Sequence, residues 1–369
     1  MDIVLSDEQR LLRDSAAKFV ERHAGPKRHR ETRTTDTGFD RARLAAAAEA
    51  GWLSLVVPED AGGLGLGATE IALVCEAAGR GLMTEPVAAI AACARAVALG
   101  GNAALMAGLL PALTAGRTVA VPVLPETGGA NGGAAPFAAS AAGGGLKLGG
   151  SAPFVAGAAG ADGFVVPAQS RDGLVLVWLP RDAAGVTLAT RRTVDGGSHA
   201  VLRADAAPVP AERIVAGPNA GAAALAALRD ALLTGLAAEM LGVMAAALDM
   251  AVGYVKTRVQ FGRPVGSFQA VQHRAVNDHM EVELTRALLY QVCAALDGAR
   301  ATPAMTAALM ARSAEAVISV TRSAIQMHGA IGFTDEYDAG LYLRRAMALS
   351  VAYGGASAHR ARFAELVAG

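Results

Sequence analysis

The sequence predicts a multidomain α+β protein in which a helical domain, a β-domain and a second helical domain follow one another. Three observations predict it. The chain has 369 residues, more than one compact core usually organises, and 53% of them are apolar, ample for burial. The apolar spacing runs in a helical repeat, changes near residue 118 to short runs broken by turn residues, and returns to the helical repeat near residue 218. The last segment holds three long helical stretches with short connections, which predict an antiparallel helical bundle. The expected domains are therefore 1–117, 118–217 and 218–369.

In the first segment, Ser6 before Asp7, Glu8 and Gln9 reads as an N-cap with acidic residues in the first helical turn. Leu11, Leu12, Ala16, Phe19 and Val20 mark the apolar stripe that follows. A second helix is expected from Arg41 to Ala50, stopped at Gly51. The run from Gly51 to Glu59 leads into Gly62, Gly63, Gly65 and Gly67. That loop reads as a plain turn rather than a phosphate cradle, because no GxGxxG follows a strand. In the second segment, Gly163 to Pro167 and Leu174 to Leu179 read as strands, and the Gly/Ala-rich stretch from Gly128 to Gly145 as a loop. In the third, helices are expected over Ala222–Arg258, Gln269–Leu296 and Pro303–His328.

Composition removes several function classes. Lysine plus arginine equals aspartate plus glutamate, 33 against 33, so net charge gives no reason to expect nucleic acid or an anionic membrane as partner. Cys75, Cys93 and Cys293 lie far apart, without CxxC or a nearby histidine at ligand spacing. They read as buried thiols of a cytoplasmic protein, with no metal site. The acidic start (Asp2, Asp7, Glu8) is not that of a secretory signal. The most apolar stretch, Ala220 to Val252, is interrupted by Arg229, Asp230, Glu239 and Asp249, which predicts a core helix and no membrane span.

Three stretches carry a more specific signal. YVKTRVQFGRPVGSFQAVQH runs from Tyr254 to His273, QMHGAIGFTDEYD from Gln326 to Asp338, and a Gly-Trp…Pro-Glu…Gly-Gly-x-Gly pattern from Gly51 to Gly65. In order and spacing they resemble the signatures of acyl-CoA dehydrogenases, over almost the whole chain. The resemblance implies FAD as cofactor and α,β-desaturation of an acyl-CoA thioester. A carboxylate removes the α-proton while hydride passes to flavin N5. It also implies an electron acceptor such as an electron-transfer flavoprotein, and an oligomer, because the adenosine end of the cofactor crosses into a neighbouring subunit. Arg258 and the Gln326 turn would then serve different half-sites.

By residue, the resemblance implies that Arg258 reaches the FAD pyrophosphate, where a planar fork of donors suits phosphate oxygens. An arginine at a helix end also complements the helix dipole with no ligand at all. Phe261 would pack against the cofactor or fill a core. Gln269 resembles the glutamine that bonds the adenosine half. Gln326, Gly329 and Gly332 resemble the turn that lets the cofactor approach the backbone, although Ala330 replaces one of two usual glycines.

The sequence departs from the family at the chemistry. The usual catalytic glutamate lies in a Tyr-Glu-Gly-Thr turn near the C-terminus, and here the matching residues are Tyr353-Gly354-Gly355-Ala356. Gly354 keeps only a backbone N–H with which to polarise a thioester carbonyl. The alternative glutamate position falls on Leu232, with Leu233 beside it. Asp230 is rotated away from that position, and Glu239 lies a further 10 Å or so along the helix. The flavin-ring loops also differ, as Leu124-Pro125-Glu126-Thr127-Gly128-Gly129 and Ser151-Ala152-Pro153-Phe154-Val155. Three readings follow: a dehydrogenase with a base from elsewhere, a base-lacking subunit completing the sites of a glutamate-bearing homologue, or another flavin chemistry such as oxygen activation. The small, apolar surroundings of Leu232 suggest a bulky acyl group.

Overall fold

The computed structural model describes residues 4–125 and 135–368. The chain runs through helices, then strands, then helices, as the sequence predicts. By contacts it divides into two compact units. One comprises Met1–Glu31, Ala72–Met83 and Thr234–Phe363; the other comprises Thr32–Ile71, Thr84–Leu233 and Ala364–Gly369.

The second of these units holds the sheet. Its strands are β1 (Ala120–Pro122), β2 (Phe137–Ala142), β3 (Gly145–Ala156), β4 (Gly163–Ser170), β5 (Gly173–Pro180), β6 (Val186–Arg192), β7 (Ser198–Val209) and β8 (Ile214–Ala216). Their order is β6-β7-β3-β2-β4-β5-β8, with β1 parallel to β4. Phe137, Leu148, Phe164, Val177 and Leu202 bury one face of the sheet into a continuous apolar core. The expected loop from Gly128 to Gly145 needs correction. Residues 126–134, with Glu126 to Gly129 of the first ring-side loop, lie outside the described residues, but β2 is a strand. Its alanines have little strand preference, yet Phe137 to Ala142 pair in register with Gly150 to Gly145 across a tight turn at Gly143 and Gly144, both at positive φ.

The same unit carries α3 (Arg41–Glu49), α5 (Val87–Gly100) and α6 (Ala103–Thr114). Asp40 caps α3 through the Ala42 N–H at 2.8 Å, and Gly51 ends it in the left-handed region, as expected. The glycine loop is the plain turn the sequence predicts. A Cβ on Gly63 would lie 2.1 Å from the Val57 carbonyl oxygen, so its glycine serves local packing.

The other unit is helical. It includes α1 (Asp7–His23), where Ser6 and Gln9 form a reciprocal capping box at 3.2 and 3.0 Å, and the later turns of α4 (Ala68–Arg80). It continues with most of α7 (Pro218–Thr257), a hairpin of β9 (Val259–Gln260) and β10 (Arg263–Pro264), then α8 (Gln269–Asp297), α9 (Pro303–His328), α10 (Ala339–Leu349) and most of α11 (Ala356–Ala368). Helix α9 packs between α8 and α10. Among the described residues α7 is the one helix long and apolar enough to cross a bilayer. Of its most apolar window 89% is buried inside the protein, which makes it a core helix. All three cysteines are free and buried, as expected.

Candidate functional site

The signature stretch from Tyr254 folds as a helix end, a hairpin and a helix start. Arg258 directly follows α7, and its carbonyl accepts from Val265 N–H at 2.8 Å, which closes the hairpin base. Val259 pairs with Pro264 and Gln260 with Arg263. The two turn residues, Phe261 and Gly262, have φ of 53° and 78°, the signs of a type I′ turn. Glycine adopts this readily and phenylalanine does not. Phe261 stands at the hairpin tip, 91% exposed, edge-on to Phe268 at 6.1 Å, while the Arg263 guanidinium lies 4.2 Å over the Phe268 ring. Val265–Ser267 then forms a 3₁₀ turn into α8.

The second signature ends α9. Gln326 lies in its last turn, His328 is its last residue, and Gly329 follows at φ 67° to open a 3₁₀ turn over Gly329–Phe333. These two helix ends enclose a groove of 660 Å³ with one end of α8, lined by Tyr254, Arg258, Arg274, Gln326, His328 and Gly329 among others. A Cβ on Gly329 would meet nothing within 4 Å, so the glycine is kept for its left-handed backbone. Ala330, in place of the usual second glycine, lines the groove at an exposed position.

Among the described residues, neither the Arg258 nor the Arg274 guanidinium has an ion-pair or hydrogen-bond partner. Two such cations lining one groove, beside a glutamine amide and a glycine turn, have the donor chemistry that suits phosphate oxygens. The expected residues divide here. Arg258, Gln326 and Gly329 come together. Phe261 stands at the hairpin tip, Gln269 is the exposed first residue of α8, and Gly332 is buried, all three outside the groove lining. Arg258 and the Gln326 turn line one groove of one chain, whereas the resemblance puts them in different half-sites. Sequence reasoning missed Arg274, which lies one turn beyond Ala270 and Val271 on the same wall, and His328, hidden within the second signature.

Beneath the groove, Asp278 of α8 accepts a hydrogen bond from Ser323 of α9 at 2.5 Å. Burial is the main cause that pushes this carboxyl up to about 6 from its ordinary 3.8, opposed by the Ser323 bond and the Arg274 charge. The folded state therefore holds this proton more tightly than the unfolded state. Stability from this group is greatest below pH 3.8 and falls as pH rises towards 6. Asp278→Asn keeps an acceptor for Ser323 and removes the charge. We expect it to raise stability above pH 7 by up to about 3 kcal/mol, with the difference vanishing near pH 4. Urea denaturation at both pH values checks this, and an equal effect at both would contradict it.

The two places where a catalytic glutamate is expected hold none. Gly354 has φ of 105°, follows Tyr353 at φ 57°, and turns its N–H to the Val351 carbonyl at 3.4 Å rather than leaving it open. Leu232 is 1% exposed in the wall of α7. Asp230 is half-buried and has partners of its own. Glu239 Oε1 accepts from Arg345 Nε at 2.8 Å and Nη2 at 2.5 Å, an ion pair between α7 and α10. In the sheet unit, Phe154 is 72% exposed at φ 57°, beside a register irregularity between β3 and β7, where the second ring-side strand was expected.

Comparison with known proteins agrees with this architecture. Residues 6–117 match the family model of the acyl-CoA dehydrogenase N-terminal domain, and residues 233–367 that of the C-terminal domain. The chain is 32% identical over 348 residues to acyl-CoA dehydrogenase IpdE2 of Mycolicibacterium smegmatis, covering 93% of both. Among solved structures it resembles the Tcur3481-Tcur3483 steroid ACAD at 33% identity and TM-score 0.88, covering 98% of each chain. It also resembles the ChsE4-ChsE5 complex from Mycobacterium tuberculosis at 28% identity and TM-score 0.90, covering 100% of this chain and 99% of that one. With helical, sheet and helical domains in the family's order and relatives matched end to end, this chain belongs to the acyl-CoA dehydrogenase family of FAD-dependent oxidoreductases.

Proposed function

We propose that this chain is the base-lacking subunit of a cytosolic heteromeric acyl-CoA dehydrogenase, and that it holds the nucleotide end of FAD for a glutamate-bearing homologue. The observation that carries this reading is the coexistence of a phosphate-receptive groove with glycine and leucine at the two family base positions. The relatives named as two-component complexes support it. The steroid in one of those names, with the apolar surroundings of Leu232, favours a ring-bearing acyl-CoA as substrate.

The chemistry that FAD supplies when bound is acceptance of hydride from the acyl β-carbon. The residues of this chain bind and orient. Arg258 and Arg274 neutralise pyrophosphate charge, the Gln326 amide offers both a donor and an acceptor, and the Gly329 turn lets a ligand come close to the backbone. No group at Gly354 or Leu232 takes the α-proton, so that proton goes to a carboxylate of the homologue. The acceptor that would reoxidise the assembly is of the electron-transfer flavoprotein kind.

Helix α8 supplies a surface for the homologue. One face buries Asp278, Val282, Thr285 and Leu289. A second carries Val276, Met280 and Leu284, each about half exposed and spaced four residues apart. A helix apolar on two faces is built to be covered on both. Leu284→Glu is expected to weaken assembly by at least about tenfold, since a carboxylate would be buried without a partner. Light scattering after size exclusion reads this, and an unchanged mass would remove α8 from the interface.

The test of the whole reading is the visible flavin spectrum, recorded anaerobically with and without ring-bearing acyl-CoA. The chain purified alone should not bleach, and the chain copurified with a glutamate-bearing homologue should. Bleaching of the chain alone at catalytic speed would mean that it has its own base.

A further inference from the structure

The segment that follows the second signature is held from the far end of the chain. Arg30, in the last turn of helix α2 (Pro26–Thr32), donates to Asp338 Oδ1 at 2.6 Å and to the Asp335 carbonyl at 2.7 Å. From the other side, Arg344 of α10 donates to Asp335 Oδ1 at 2.7 Å. Asp338 stands at the N-cap of α10, where an aspartate ordinarily accepts from the first helical N–H groups. Among the described residues its side chain makes no such capping bond and turns to Arg30 instead. A local helix cap is given up for a long-range clamp.

Between the two gripped residues stands Tyr337. Its ring lies 4.7 Å from that of His328 and 6.0 Å, edge-on, from that of Tyr254, and those two are 4.8 Å apart. Both of its ring partners belong to the groove lining. Tyr254 is one helical turn before Arg258 and accepts its backbone N–H at 2.9 Å, and His328 directly precedes Gly329. The stack of rings therefore joins the end of α7 to the end of α9. We propose that Arg30 is a positioning residue, which grips Asp338 and the Asp335 carbonyl, seats Tyr337 on His328 and Tyr254, and so fixes the spacing between the Arg258 and Gly329 sides of the groove. This rests on the reading of the groove as a phosphate-receptive site.

Burial alone does not hold this stretch, because Phe333, Thr334, Asp335 and Glu336 are all exposed. Arg30 is itself outside the groove lining, so its effect on a ligand passes through Tyr337. The ion pair with Asp338 is partly exposed, and such pairs contribute little to global stability. Its loss should show in the shape of the groove more than in folding. The planar fork lets one side chain serve a carboxylate and a carbonyl together, which a lysine ammonium does less well.

The experiment is calorimetric titration of the full chain with ADP, for the wild type, Arg30→Ala, Tyr337→Leu and the double variant, with urea midpoints beside it. Arg30→Ala should weaken ADP binding by about three- to tenfold and Tyr337→Leu by a similar factor. The double variant should lose no more than the worse single one, because both changes break one chain of contacts. Arg30→Lys should recover part of the loss. Losses that multiply in the double variant would mean that Arg30 acts on the ligand by its own charge, and the proposal falls. A lower urea midpoint with unchanged ADP affinity would make Arg30 a structural tie only, which also overturns it. A second readout needs no ligand: Tyr337 and Tyr254 impose a ring-current shift on the His328 ring protons, and Arg30→Ala should change it. An unchanged shift would show that Tyr337 keeps its seat without Arg30. Where Arg30→Ala folds poorly, Asp338→Asn keeps an acceptor, and it should cost about two- to threefold in ADP affinity and nothing further beside Tyr337→Leu. If Arg258→Ala abolishes ADP binding while Arg30→Ala changes neither readout, the groove stands and the positioning role does not. If the wild type binds no ADP, the groove reading fails and this proposal with it.

Discussion

Replacing Arg258 by alanine is expected to strip FAD from the assembled protein. The guanidinium faces the groove with no ion-pair or hydrogen-bond partner among the described residues, so the variant removes a ligand contact and breaks no internal bond. A hydrogen bond to a charged group is worth about 1.5–3 kcal/mol, which lowers cofactor affinity about ten- to a hundredfold. Arg258→Lys should recover only part of the loss, because an ammonium keeps the charge and gives up the planar fork. The ratio of flavin absorbance to protein absorbance after desalting measures this. Full occupancy in Arg258→Ala would dismiss the groove as the phosphate site. The free guanidinium also implies that thermal stability of the apoprotein should hardly change, which separates lost binding from lost folding.

Gly354→Glu is the second large effect, and its sign is the unexpected one. Restoring the family residue in sequence should not restore catalysis and should weaken the fold. At φ 105° the backbone of Gly354 lies where side-chain-bearing residues are strained, and the preceding Tyr353 is already at φ 57°. The substitution is expected to destabilise the chain by about 1–3 kcal/mol, read as a lower urea midpoint. Loss of a general base lowers rates by about 10²–10⁴-fold. A strained turn that points a new carboxylate in an unplanned direction recovers little of that. If Gly354→Glu alone bleached flavin rapidly with acyl-CoA, the turn would be a silenced dehydrogenase site and the proposed division of labour would be wrong.

Most of the fold was legible in the sequence because its signals are local. Ser6 announced the N-cap of α1, and Gly51 the stop of α3. The apolar repeats announced α7, α8 and α9 to within a few residues. The strand Phe137–Ala142 was not legible. Alanine carries almost no strand preference, and only the non-local pairing with Leu146 and Leu148 decides its state. The site was half legible. Arg258, Gln326 and Gly329 could be named from motif residues, since helix ends and glycine turns are local devices. Arg274 was missed because only the meeting of α7, α8 and α9 makes its position matter. The hold of Arg30 on the Tyr337 segment was missed for a stronger reason. It joins residues from opposite ends of the chain, and nothing in the order of residues encodes that distance.

The doubly apolar α8 also bears on how the chain lives in a cell. Made in excess of its counterpart, it would present Val276, Met280 and Leu284 to chaperones and to other copies of itself. If the proposed subunit role holds, association with a glutamate-bearing counterpart would withdraw that surface, and the amount of intact chain would be set by mass action on the scarcer polypeptide. Its abundance would then follow the supply of that counterpart more closely than its own rate of synthesis.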